Sequence, residues 1–342
     1  MIPVFDGHND ALTREGRGDL IQRSRQGHLD LPRMREGGMR GGIFAIFTPS
    51  PGEDAHQISF GAEGSYSEPL AEPVAHRVAA AHAEATAEYL VDLERRGEVA
   101  VARSIADVDA ARDGGAPPVA VMHLEGAEAI DGDLEELDAW YGRGLRSLGP
   151  VWSRPNAFAH GVPFAFPSSP DTGPGLTDRG AALVAACAEL GILVDLSHLN
   201  EAGFWDVAQL EPGPLVASHS GAHAICPASR NLTDRQLDAI GTSGGLVGIV
   251  FATPFLRPDF ADDPQTPLSL IAEHARYVAD RIGVEHVALG SDFDGATIPS
   301  ALGDVAGLPR LLATLETSGF SRAESEAICW SNWRRVLNRW WR

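Results

Sequence analysis

A single (β/α)8 barrel is the architecture this sequence predicts, and three observations carry the prediction. Eight short runs rich in Val, Ile and Leu recur along the 342 residues, as expected of strands buried on both faces and therefore parallel. Stretches of helical length lie between many of them. Most of the runs end in small, polar or metal-binding residues, which suits the C-terminal rim of such a barrel. A doubly wound sheet is the alternative, but it calls for a glycine-rich phosphate fingerprint after the first strand, and Asp6-Gly7-His8-Asn9-Asp10 is not one.

The predicted strands cover 2–5, 42–47, 119–124, 145–151, 192–197, 214–218, 246–250 and 286–290. Residues 73–96 read as an Ala-rich helix with its charges on one face. Thr177 is placed to cap a helix whose apolar body stops at Gly191, a natural left-handed terminator. Further helices are expected over 268–282 and 307–317, and Ser321 with Glu324 forms a capping box that opens the last one. Residues 49–73 and 163–175, rich in Pro, Ser and Gly, read as long surface loops. With no short repeat and no low-complexity segment, one domain over 1–342 is expected.

Composition removes several function classes. The formal charge is −20, which disfavours phosphate backbones and anionic lipid surfaces as partners. All 27 basic residues are arginine. A chain without lysine has no P-loop, no Schiff-base or lysine-dependent PLP chemistry and no carbamylated-lysine metal bridge. Cys187, Cys226 and Cys329 are far apart and odd in number, so they read as buried thiols in a reducing compartment. The opening Met1–Asp10 segment lacks the basic and apolar regions of a secretory leader. No apolar run approaches the roughly 20 residues of a membrane span. A cytoplasmic location is the expectation.

The chemistry-bearing residues cluster at strand ends. His8 and Asp10 follow the first run, Glu125 the third, His198 the fifth, His219 the sixth, and Asp292 with Asp294 the eighth. One such residue is weak evidence, whereas five strand ends form a pattern. Neutral imidazole and carboxylate are ligands for zinc and similar divalent ions. In extended backbone, alternate residues project to one side, so His8 and Asp10 can grip one ion together. His198 and His219 come from adjacent strands and can hold a second. Glu125 has two oxygens and can link the pair. A two-metal site activates water and clamps an oxyanion. Asp294 reads as a turn residue before Gly295, and His123 as a supporting or core group.

These motifs, taken in order, resemble the membrane (renal) dipeptidase family, binuclear zinc peptidases on an amidohydrolase-like barrel. The resemblance rests on D-G-H-N-D at 6–10, D-L-P-R-M-R-E-G-G at 30–38, H-L-E-G at 123–126 and the L-S-H…S-H-S pair. S-R-N-L-T-D at 229–234 and G-S-D-F-D-G at 290–295 extend it nearly end to end. It implies two Zn2+ per chain: one on His8 and Asp10, one on His198 and His219, with Glu125 bridging. It further implies Arg230 for substrate and Asp292 for proton transfer. The expected reaction is attack of a bridging hydroxide on a small dipeptide, L,D-dipeptides included. The alternatives are a related amidohydrolase acting on another amide or a lactone, and a non-catalytic barrel that only binds.

Two departures from the family pattern matter. Where the family commonly has L-T-H after the fourth strand, this chain reads L-G-P-V-W-S-R-P-N, with Trp152 at the histidine's place. After the sixth, H-S-G-A-H replaces the more usual H-S-N-A-R. His160, eight residues past Trp152 on the same loop, is expected to take over substrate contact, with Trp152 narrowing the pocket. Family members often form homodimers. Trp340 and Trp341, at the chain end with little sequence left to cover them, are the candidate contact.

Overall fold

The computed structural model describes residues 2–13, 20–50 and 64–341. Eight parallel strands occupy the eight predicted places: β1 Val4–Asn9, β2 Met39–Phe47, β3 Val119–Glu125, β4 Leu145–Gly149, β5 Leu193–Val194, β6 Val216–Ser220, β7 Leu246–Ile249 and β8 Val287–Leu289. They form two curled sheets. One runs in the order β1-β2-β3-β4-β5, with a short extra strand Ala100–Val101 beside β3. The other runs β6-β7-β8. Single parallel bridges, Asp195 to Val216 and Asn9 to Phe293, join the sheets at both seams.

β1 is longer than its apolar run. The expected strand at 2–5 shifts to 4–9, so His8 lies inside it. Backbone pairing on both sides keeps this polar segment extended: β2 on one flank, and Asp292 N donating to His8 O at 3.0 Å on the other. Two of the buried polar side chains beside His8 find partners. Asn9 donates to Ile43 O at 3.1 Å, and Asp6 accepts from the Ser291 amide and hydroxyl at 2.7 and 2.8 Å.

The helices follow their capping chemistry. Thr177 accepts from Gly180 N at 3.1 Å to open Asp178–Leu190, which ends at Gly191 with φ 77°. The Ser321–Glu324 capping box opens Arg322–Glu326. A π-turn at Ala327–Ser331 then offsets the chain before Asn332–Trp340. After that offset Trp330 and Trp333 are buried against β1 and β8, where both ring centroids lie within 6 Å of Phe5 and Trp333 donates to Leu289 O. Helices at His76–Arg95, Ser269–Ile282 and Leu308–Thr317 match expectation within three residues at each end.

Two expectations change. Trp340 and Trp341 are buried by their own chain, donating to Pro214 O at 3.0 Å and Arg146 O at 3.2 Å. The tryptophan tail is therefore part of the core and offers no exposed face for a second copy. The 163–175 segment is also more than a loop. Ala165–Phe166 pairs antiparallel with Tyr66–Ser67, which lies within the predicted 49–73 loop. Residues 51–63 of that loop, His56 among them, lie outside the described residues. Cys187, Cys226 and Cys329 are free and buried. Among the described residues no helix is long and apolar enough to cross a membrane.

Candidate active site

Parallel strands send their C-terminal ends to one rim, so residues distant in sequence meet there. Glu125, the last residue of β3, is the meeting point. Its Oε2 faces His8 Nε2 at 3.5 Å, while its Oε1 faces His198 Nε2 at 3.1 Å and His219 Nε2 at 3.7 Å. Asp10 Oδ2 lies 3.4 Å from His8 Nε2. The Nε2 atoms of His198 and His219 are 3.0 Å apart. All five side chains are buried. Arg230, on the loop after β6, reaches in from the side, with Nη2 at 3.1 Å from His198 Nε2 and 3.3 Å from His219 O.

Backbone strain accompanies this convergence. His198 and Asp292 adopt left-handed φ values of 67° and 61°, sparsely populated for residues with a Cβ. Gly295 has no side chain for a reason of space: a Cβ there would collide with the carboxylates of Asp10 and Asp292. Asp294 is a turn residue, as expected. Its amide donates to His28 Nδ1 at 3.0 Å, and its Oδ1 accepts from the His28 amide.

The electrostatics call for a cation. Burial, followed by the Asp10 carboxylate, pushes Asp292 up to about 7. Burial disfavours ionised Glu125, but His8 and His198 beside it hold it well below the usual carboxylate range. Burial alone would lower His8, yet the facing carboxylates of Glu125 and Asp10 raise it well above an ordinary imidazole. The carboxylates thus draw positive charge to this point, which a divalent ion would supply in place of a proton. Both ring nitrogens of fully buried His8 lack a hydrogen-bond partner. A buried polar atom is costly in that condition unless something binds it. An all-imidazole and carboxylate donor set fits zinc.

Above these groups lies a pocket lined by the aromatic rings of Phe47, Trp152, Phe164 and Phe255 together with polar Glu68, Asp262 and Thr297. Trp152 packs 4.9 Å from Phe47 and 5.7 Å from His198, centroid to centroid, and forms part of this lining. Buried Arg154, paired with Glu128 at 3.0 Å, lies behind that wall, about 5.5 Å from the Phe47 and Trp152 rings.

His160 does not reach the pocket. Gly161, at φ 83°, turns the chain so that Val162 N donates to His198 O, and His160 comes to rest against Gly173. His123 is a supporting group, with Nδ1 at 2.9 Å from Ser147 Oγ. Several residues went unread in the sequence. The short ribbon Tyr66–Ser67/Ala165–Phe166 carries Phe164 and Glu68 to the rim, with Glu68 N donating to Phe164 O. Ser153 Oγ lies 2.9 Å from His198 Nδ1. Ser218, next to His219, carried a local signal in its position alone.

Comparison with known proteins shows the family. A model of the membrane dipeptidase family (peptidase family M19) matches residues 1–340. The chain belongs to the membrane dipeptidase family. Among family relatives, an uncharacterised protein from the pqqA 5′ region of Klebsiella pneumoniae is 49% identical, covering 72% of this chain and 90% of that one. A dipeptidase of Aspergillus terreus is 28% identical, covering 98% and 84%. The crystal structure of a metallopeptidase from Rhodobacter sphaeroides, bound to a phosphinate mimic of the dipeptide L-Ala-D-Ala, is 46% identical. It covers 99% of each chain with a TM-score of 0.94. As a member of this family the chain is a hydrolytic metallopeptidase, a dipeptidase that depends on metal.

Proposed function

We propose that this dipeptidase works on a pair of zinc ions and cleaves small dipeptides that include L,D-dipeptides. The observation that carries this reading is the division of Glu125, whose Oε2 faces His8 while Oε1 faces His198 and His219. One oxygen per group is what a bridging carboxylate requires. On this reading His8 and Asp10 hold one ion, His198 and His219 the other, and Glu125 both. Two divalent ions held there would lower the pKa of a water and polarise the scissile carbonyl.

The remaining work falls to the chain's own groups. Burial lowers the Arg230 guanidinium to about 10, so it stays charged at neutral pH and presents a planar fork to a substrate carboxylate or carbonyl oxygen. Asp292, pushed up to about 7, is suited to take a proton and return it to the departing amine. The aromatic wall excludes water and limits side-chain size. The bridges at both seams favour one closed eight-stranded barrel in a single domain, with the site at the C-terminal ends of its strands.

The L-Ala-D-Ala mimic bound by the Rhodobacter sphaeroides relative supports a D-residue at the C-terminal position. The test is a panel of L,L- and L,D-dipeptides offered to the zinc-loaded protein, with metal counted in parallel. Two equivalents of zinc and turnover of L-Ala-D-Ala are expected. Turnover of lactones but of no dipeptide would favour the related amidohydrolase, and two bound ions without any hydrolysis would favour a binding protein.

A further inference from the structure

We infer that Asp195, acting through the Ser218 hydroxyl, is a positioning residue that sets the tautomer and aim of His219. Asp195 follows β5 and is buried at the seam between the two sheets, where it bridges to Val216. Its Oδ1 accepts from the amides of Ser197 at 3.1 Å and Ser218 at 2.8 Å. Its Oδ2 accepts the Ser218 hydroxyl at 2.5 Å. A serine hydroxyl has one proton, and here the carboxylate takes it. Ser218 Oγ, 2.8 Å from His219 Nδ1, is thereby left only lone pairs to offer the ring. Nδ1 must carry the hydrogen, and Nε2 keeps its lone pair turned toward Glu125 Oε1 and His198 Nε2. Ser197 completes the arrangement, since its Oγ accepts the His219 amide at 3.1 Å and lies 3.3 Å from Ser218 Oγ.

The other two histidines lack this backing. His198 Nδ1 has the neutral Ser153 hydroxyl at 2.9 Å, free to rotate as donor or acceptor. Neither nitrogen of His8 makes a hydrogen bond. Outer partners of a metal-binding imidazole fix its orientation and raise its basicity, and their loss typically costs about 10- to 100-fold in metal affinity. The relay therefore strengthens one half of the proposed metal pair. The inference rests on the two-ion reading above.

The test measures zinc affinity and stoichiometry by competition with a chromophoric chelator, in the parent protein and in Ser218→Ala, Asp195→Asn, the double variant and Ser153→Ala. Ser218→Ala is expected to weaken one ion by about 10- to 100-fold while the other stays within about twofold. Asp195→Asn is expected to weaken the same ion, and the double variant to add little to either single change, because both cut one chain of hydrogen bonds. Ser153→Ala should have the smaller effect. Thermal unfolding of the metal-free proteins checks that each variant folds. Equal weakening of both ions, additive losses, or unchanged affinities in folded Ser218→Ala would overturn the relay. A parent protein that binds fewer than two ions would instead overturn the two-ion reading.

Discussion

The six-stranded sheet and the three-stranded sheet contribute differently to the pocket they share. The first supplies His8, Asp10, Glu125 and, just past its last strand, His198, together with the aromatic wall of Phe47 and Trp152. The second supplies only His219 to the proposed ligand cluster, but it also brings Arg230 and Asp292, the groups proposed to offer substrate a charge or a proton. The ligand-rich half is organised locally, by H-x-D spacing and a strand-terminal glutamate. The other half depends on long loops that fold back over the rim. Most of the proposed metal ligands therefore lie on one side of the seams and the proposed charge- and proton-handling groups on the other, with His219 and the aromatic wall as the exceptions.

The largest effects should fall on that division. Glu125→Gln removes the shared charge at nearly constant size, so at least one ion should be lost and turnover with it. Asp292→Asn, on the other side, should retain both ions while kcat falls by about 10²-fold or more. Metal counting beside steady-state kinetics separates the two. A Glu125→Gln protein with two ions and full activity would refute the bridging role, and unchanged kcat in Asp292→Asn would remove its proton-transfer role.

A medium effect concerns how the three-stranded half is held. Buried His274 accepts the Ala222 amide on Nδ1 at 2.9 Å and has Nε2 at 3.0 Å from Leu256 O, which suits only the neutral ring. Burial lowers it from 6.5 to about 4. As pH falls from 6.5 toward 4, the unfolded chain takes up a proton here that the folded chain refuses. The folded state therefore loses up to about 3 kcal/mol from this group across the window, and nothing above it. Denaturant titrations should show His274→Gln less stable than the parent at pH 7, with the gap narrowing toward pH 4. A constant gap would mean that His274 does not titrate this way.

The smallest effects belong to the loop after β4 in the six-stranded half. Trp152→Ala should widen the range of accepted dipeptides, raising kcat/KM for bulky side chains by roughly three- to tenfold. His160→Ala should leave kcat/KM within about twofold, because its ring lies against Gly173 and away from the pocket. A tenfold loss in His160→Ala would show that this loop rearranges when substrate enters.

Local chemistry by itself determined most of the frame. The eight strands were legible because a strand buried on both faces is rich in apolar residues, although β1 runs on past its apolar start through Asp6 to Asn9. Helix ends at Thr177, Gly191 and Ser321 were legible because capping is a contact between near neighbours in sequence. The five ligand candidates could be read because a parallel barrel gathers its strand ends on one rim, so chain order stands in for proximity. Tertiary structure decided what depends on the direction a loop takes. Nothing within a few residues of His160 announced that Gly161 would turn it away, or that Trp340 and Trp341 would find Pro214 O and Arg146 O far back along the chain. The ribbon that lifts Phe164 and Glu68 to the rim joins segments nearly 100 residues apart. Asp195 and Ser218 meet only across the seam between the sheets. These contacts are long-range hydrogen bonds between polar groups that must be satisfied once buried, and which partner satisfies them is settled only when the sheets close against each other.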